Sequence, residues 1–241
     1  MTNARILLII VLVLLAGCAT SLPPERFAAI VASPERSAAD RTNDVRRKPA
    51  EMLAFINVMP GTVALDVSAG RGYTTELIAR AAGPGGKVYG QTAAETPALL
   101  AERARNLTTA NIVPVVRPFN DPVPAQVAAG GLDLVTLMFN YHDLGHLGVD
   151  RASMNHAIFN ALRRGGSYVI ADHSGRAGTG ISESGTLHRV EEAFVIGEVQ
   201  AAGFRLAASG NFLRNPADPR DRDTPQPAMP KDEFVLRFVK P

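Results

Sequence analysis

The chain opens on an unbroken apolar run, Ile6–Leu15 (ILLIIVLVLL), and then alternates between short apolar runs and amphipathic stretches. Ten residues at ~1.5 Å each span roughly half of a ~30 Å hydrocarbon core, a length that suits a signal-peptide core better than a transmembrane helix. Further on, Pro49 sits where a first helical turn tolerates it, and Met52, Leu53, Phe55 and Ile56 form a helical apolar face that Pro60-Gly61 ends. Val63–Val67 reads as a buried strand, Tyr73–Ala82 as a helix with Leu77, Ile78 and Ala81 on one face, and Lys87–Gln91 as a second strand. Pro97–Leu107 reads as a helix. Ile112–Arg117 reads as a third strand, placed at a sheet edge by Pro114. Leu132–Phe139 is the fourth and most apolar strand, Arg151–Leu162 a helix ended by Gly165-Gly166, and Ser167–Asp172 the fifth strand. A long helix is expected over Thr186–Ala202, then strands over Phe204–Phe212 and Phe234–Phe238 with the loop Arg214–Lys231 between them.

Strands alternating with helices of this length imply a parallel α/β sheet with helices on both faces. The last two strands have no helix between them and are expected to pair antiparallel. Residues 19 to about 47 are mixed and polar, with Pro23, Pro24 and Pro34, and read as a tether with one or two short helices. The division expected is therefore a signal peptide over 1–17, a tether and helical segment over 18–47, and one domain over 48–241.

Composition changes the picture at the N-terminus. Cys18 is the only cysteine, so neither a disulfide scaffold nor thiol chemistry remains after it. Leu15-Ala16-Gly17-Cys18 resembles the bacterial lipobox, which implies a lipidated cysteine, a lipoprotein anchored to the cell envelope and, with Ala19 following, sorting to the outer membrane. Several acyl chains make such an anchor stable. With 25 Lys and Arg against 23 Asp and Glu, and no basic stripe with interleaved aromatics, nucleic acid is not a favoured partner.

The first strand runs into Asp66-Val67-Ser68-Ala69-Gly70-Arg71-Gly72 and then a helix. Glycines there let the chain turn sharply and let a ligand lie against bare backbone at a helix N-terminus. The lysine of a phosphate-binding P-loop is missing, which disfavours a nucleoside triphosphate. The stretch VALDVSAGRGYTTELIARAAGPGGKVYG resembles the first motif of the class I S-adenosylmethionine-dependent methyltransferases, and RRGGSYVIAD and VEEAFVIGEVQAAGF resemble later parts of that family. NYHDL, ADHSGRAGTG and FLRNPADPR are similar to a bacterial group described as predicted methyltransferases. The resemblance covers about Pro49–Pro241. It implies a Rossmann-like class I methyltransferase fold, a mostly parallel seven-stranded sheet with an antiparallel last strand. It also implies S-adenosyl-L-methionine as cofactor.

Motif by motif, the resemblance implies that Asp66 and the backbone of Ser68, Ala69, Gly70 and Gly72 hold the methionine end of that cofactor. Ser68 stands where the motif has its first glycine. Gln91 stands where an acid usually takes the ribose hydroxyls, and an amide offers a weaker bond than a carboxylate. Asp121 is the candidate for the adenine amine, or else a turn residue in Asn120-Asp121-Pro122.

All five histidines fall between His142 and His188. Asn140-Tyr141-His142-Asp143 follows the fourth strand and Asp172-His173 the fifth, so both groups should face the crevice beyond the carboxyl ends of the strands. His142 and His173 are candidate general bases. Tyr141 and Asn140 are candidates to line the acceptor pocket or hold the sulfonium end. His188 falls near the start of the long helix, His146 in a loop, and His156 within a helix in a structural role. His142, Asp143, His146, Asp172 and His173 could ligate a metal, but their spacing matches no zinc signature and no metal is assigned. Gly175, Gly178 and Gly180 suit a lid. The favoured function is methyl transfer to a small-molecule acceptor. The alternatives are a non-catalytic envelope protein holding another ligand in the same fold and, less favoured, a metal-dependent enzyme. Export and a cytoplasmic cofactor pull in opposite directions.

Overall fold

The computed structural model describes residues 24–106, 108 and 111–241. The expected signal peptide, Cys18 and Ala19 lie outside them. No helix among the described residues is long and apolar enough to cross a membrane.

Strands β1 (Val63–Val67), β2 (Lys87–Thr92), β3 (Ile112–Val116), β4 (Leu132–Met138), β5 (Leu162–His173), β6 (Arg205–Gly210) and β7 (Glu233–Val239) form one sheet in the order β3-β2-β1-β4-β5-β7-β6. Strands β1 to β5 pair parallel, and β7 inserts antiparallel between β5 and β6. Pro114 cannot donate to a ladder, and β3 is the edge strand that tolerates it. The β1 and β4 runs are apolar because both faces of the sheet are covered. One buried cluster includes Leu65, Val135, Leu137 and Ile170, and the other Ala64, Ile78, Val88, Leu134 and Val169.

The helices are α1 (Glu25–Val31), α2 (Ala38–Arg47), α3 (Pro49–Ile56), α4 (Tyr73–Ala82), α5 (Ala98–Asn106), α6 (Asp143–His146), α7 (Arg151–Ala161) and α8 (Glu192–Ala201). Phe27 of α1 is fully buried in the cluster shared with α3 and α4. Helix α2 is capped by the Ser37 hydroxyl, which accepts from Asp40 N at 3.1 Å. It carries Asp40 in its first turn and Arg46 and Arg47 in its last, which complements the helix dipole. Ion pairs hold it: Arg103 reaches Asp40 at 2.8 Å, Arg36 reaches Asp44 at 2.7 Å, and Arg46 reaches Glu233 of β7 at 2.6 Å.

Two expectations are corrected. The fifth strand starts at Leu162, because Leu132 pairs with Leu162 before the register shifts across the Gly165-Gly166 stretch. The helix expected over Thr186–Ala202 is confined to α8. Its first residues instead follow the sheet: Val190 is fully buried and bridges Ser174, and Val190 N donates to His173 O. His188 therefore lies in a turn before the helix, with φ of 50°.

Candidate active site

At the end of β1 the backbone enters the left-handed region at Ser68 (φ 57°), Gly70 (φ 54°) and Gly72 (φ 84°), and α4 begins directly after. The last two glycines do different work. A Cβ on Gly72 would meet Leu100 Cδ1 at 2.9 Å and Arg103 Cδ at 3.0 Å, so close packing of α5 demands glycine there. A Cβ on Gly70 would find only Ser68 O, at 3.9 Å. That position opens onto a cleft.

The cleft has a volume of about 290 Å³. Asp66, Ser68–Arg71, Tyr73 and Met138 form one side, and Ala39, Asp40, Asn43 and Arg47 of α2 stand over them. Asp66 is nearly fully buried and accepts from Thr75 Oγ1 at 2.6 Å and Thr136 Oγ1 at 2.7 Å. Burial pushes its carboxyl up to about 6, against the opposing pull of both threonines and the Arg47 charge. Arg47 lies over Phe139, 4.1 Å from the ring centroid, and 5.7 Å from that of Tyr73. Burial, and then the charge of Arg46, push its guanidinium down to about 10. No hydrogen bond or ion pair is made by that guanidinium among the described residues. Nothing in the sequence motifs marks Arg47, because it lies in the segment read as a tether.

Gln91 does not reach the cleft. It is fully buried, its Oε1 accepts from Ser68 N at 2.9 Å, and its Nε2 donates to Arg117 O at 2.6 Å. The amide ties the glycine loop to the end of β3. Asp121 is an exposed turn residue whose N donates to Pro118 O and whose carboxylate pairs with Arg117.

Asn140 sits between the two regions: its Oδ1 accepts from Ser68 Oγ and its Nδ2 donates to Asp143 Oδ2, both at 2.8 Å. Tyr141 turns the other way. It is fully buried, and its hydroxyl bonds Glu198 of α8 at 2.7 Å and Asn155 of α7 at 3.1 Å, so it lines no acceptor pocket. Burial and the Glu198 charge hold its proton on.

His142 and His173 come together, with ring centroids 5.3 Å apart. Asp172, fully buried, receives His142 Nδ1 at 2.6 Å, His142 N at 2.7 Å and His173 N at 2.8 Å. Burial opposes a charge on His142, but the Asp172 bond and the Asp172 and Asp143 charges raise its pKa. His173 Nδ1 stands 3.1 Å from Glu233 Oε1, yet burial dominates and lowers its pKa. His188 and His146 close the group, each with its ring centroid within 6 Å of a neighbouring imidazole: His188 is 5.7 Å from His142, and His146 is 5.8 Å from His188. His156 is elsewhere, exposed on α7 and bonded to Ala152 O. The glycines expected in a lid are partly pinned: Gly175 N donates to Val190 O at 2.8 Å and Gly180 N to Glu191 Oε2 at 2.9 Å.

No protein-family model and no curated protein matches the chain. Solved structures do. An S-adenosylmethionine-dependent methyltransferase from Aquifex aeolicus is 16% identical over 91% of this chain and 100% of that chain, with a TM-score of 0.63. The [4+2]-cyclase SpnF is 18% identical over 85% of this chain and 82% of that chain, with a TM-score of 0.60. Aeropyrum pernix fibrillarin, in complex with natively bound S-adenosyl-L-methionine, is 18% identical over 80% of this chain and 74% of that chain, with a TM-score of 0.53. At these identities the likeness establishes the architecture: a Rossmann-like methyltransferase fold, with the cleft and the histidine group at the carboxyl ends of its parallel strands.

Proposed function

We propose that this protein is an S-adenosylmethionine-dependent methyltransferase acting on a small-molecule acceptor. The observation that carries the reading is the cleft over the glycine loop, with buried Asp66 on one side and the bond-free Arg47 guanidinium on the other. That pair suits the ammonium and carboxylate of an amino acid, and the bare backbone at Gly70 leaves room beside them. The ribose end finds no carboxylate on Gln91. The cofactor, when bound, supplies an electrophilic methyl group. The chain's own residues do the rest. Asp66 and Arg47 orient the methionine end. Asn140, through Ser68, keeps the glycine loop in register with the histidine group. His173, with Nδ1 against Glu233, is the base that takes the acceptor proton as attack proceeds. The near-balanced charge favours a small acceptor over nucleic acid. The lipobox-like Cys18 supports an anchor on the envelope membrane.

A second reading, a non-catalytic envelope protein holding another ligand in the same cleft, is favoured by the internal use of Gln91. Calorimetric titration of the purified chain with S-adenosylmethionine and its demethylated product separates the two. Micromolar binding of both supports the methyltransferase. Absence of binding at millimolar concentration rejects it in favour of the second reading.

A further inference from the structure

We propose that His142, Asp143 and His188 form a binding site for a divalent transition-metal ion. One donor atom from each lies within 4.8 Å of the others. Two ligands each about 2.1 Å from one ion, at tetrahedral or octahedral angles, sit roughly 2.9–3.4 Å apart. His142 Nε2 is 3.2 Å from Asp143 Oδ1, and His188 Nδ1 is 3.0 Å from the same oxygen.

The surrounding bonds aim these atoms. Asp172 accepts from His142 Nδ1, which assigns the ring proton to that nitrogen and leaves the Nε2 lone pair facing Asp143. A histidine whose far nitrogen is held by a carboxylate is the usual arrangement of a metal-bound imidazole. Asn140 Nδ2 holds Asp143 Oδ2 at 2.8 Å, so Oδ1 is turned toward the rings. That one oxygen is faced by His142, by His188 and, at 3.8 Å, by His146. A lone pair and a carboxylate oxygen at such a distance repel unless a cation lies between them. Either a second ring proton or a metal ion can be that cation, and two imidazole nitrogens at 3.0 and 3.2 Å from one oxygen favour the metal, while His146 Nδ1 is turned to Ser184 Oγ at 3.0 Å. His188 is held in the left-handed region to take part, a backbone state that non-glycine residues keep where the surroundings impose it.

The donor set defines the class of ion. Two imidazole nitrogens and one carboxylate suit zinc, cobalt, nickel or ferrous iron, whereas magnesium and calcium favour all-oxygen shells. His142 is buried, but the His188 side chain is 44% exposed, so the site is open on one side to water or an acceptor oxygen. The site stands on its own geometry. It does not depend on the methyltransferase reading, though the Asn140–Ser68 bond puts it beside the glycine-loop cleft.

The test uses the full chain without a histidine tag, stripped with a chelator and then dialysed against zinc or cobalt. Bound metal is measured by elemental analysis, and ligand type by the visible spectrum of the cobalt form. About one ion per chain is expected, with a nitrogen-containing shell. Asp143→Ala and His188→Ala should each lower affinity at least tenfold, and Asp172→Asn about ten- to hundredfold through the second ring nitrogen. His156→Ala should change nothing. Exposed His188 keeps the test valid if the more buried variants fail to fold. Lack of stoichiometric uptake overturns the proposal and leaves the group held by protons alone. Uptake undiminished by Asp143→Ala and His188→Ala overturns it equally, since the ion would then sit elsewhere.

Discussion

The hydroxyl of Ser68 donates to Asn140 Oδ1 across 2.8 Å, joining the glycine loop after β1 to the loop after β4. The same Asn140 holds Asp143 through its other end. One side chain thus couples the cleft under α2 to the histidine group.

Asn140→Ala breaks both bonds while changing no fully buried apolar contact. Each net hydrogen bond contributes about 1 kcal/mol, so ligand affinity in the cleft should fall roughly tenfold with the fold intact. Calorimetry alongside circular dichroism checks this. Unchanged affinity would show that the two loops hold their positions independently.

Asp66 predicts a pH dependence with a definite sign. Its folded-state pKa, pushed up to about 6 from 3.8, means the folded chain holds that proton more tightly than the unfolded chain does. Stability from this group is fully present below pH 3.8 and is lost as pH rises through about 6. A rise of that size corresponds to about 3 kcal/mol as an order of magnitude. Asp66→Asn removes the titration, so its stability should approach or exceed that of the wild type at neutral pH while cleft binding is lost. Urea unfolding of both proteins at pH 4 and pH 7 measures the difference, and equal differences at the two pH values would reject the assignment.

The two glycines should part company on substitution. Gly72→Ala drives a methyl into Leu100 and Arg103 at positive φ, and a loss of about 1–3 kcal/mol is expected. Gly70→Ala meets nothing close, and only the backbone preference of about 1 kcal/mol opposes it. Its main effect should be on cleft binding. Thermal unfolding paired with titration distinguishes them, and the reverse ranking would place the ligand nearer Gly72.

Cys18→Ser should move the protein from the membrane fraction to the soluble fraction of its host. The lipobox-like Leu15–Cys18 motivates this. Retention on the membrane in the variant would assign anchoring to another segment.

The sheet was legible because its strands alternate with helical stretches, β1 and β4 are short apolar runs, and Pro114 marked the edge correctly. The meeting of His142, Asp172 and His173 was legible too, since His142 follows β4 and Asp172 and His173 end β5, its parallel neighbour. The direction of single side chains was not. Gln91 follows the strand pattern of a pocket residue yet bonds the backbone on both sides. Tyr141 precedes His142 directly and points into the core. The segment Thr186–Val190 has helical spacing, but a bridge to Ser174 overrides it. Helix α2 left little trace because ion pairs rather than an apolar face hold it, and charge pairing across a fold has no periodicity.

That helix has a kinetic consequence. Asp40, Asn43 and Arg47 stand over the glycine loop, and the Arg103–Asp40 pair, the Arg46–Glu233 pair and the Tyr73–Asp44 hydrogen bond latch them there. We expect ligand entry to the cleft to wait on the opening of that latch. Association should therefore level off at the opening rate instead of rising with ligand concentration. Stopped-flow binding would read this directly.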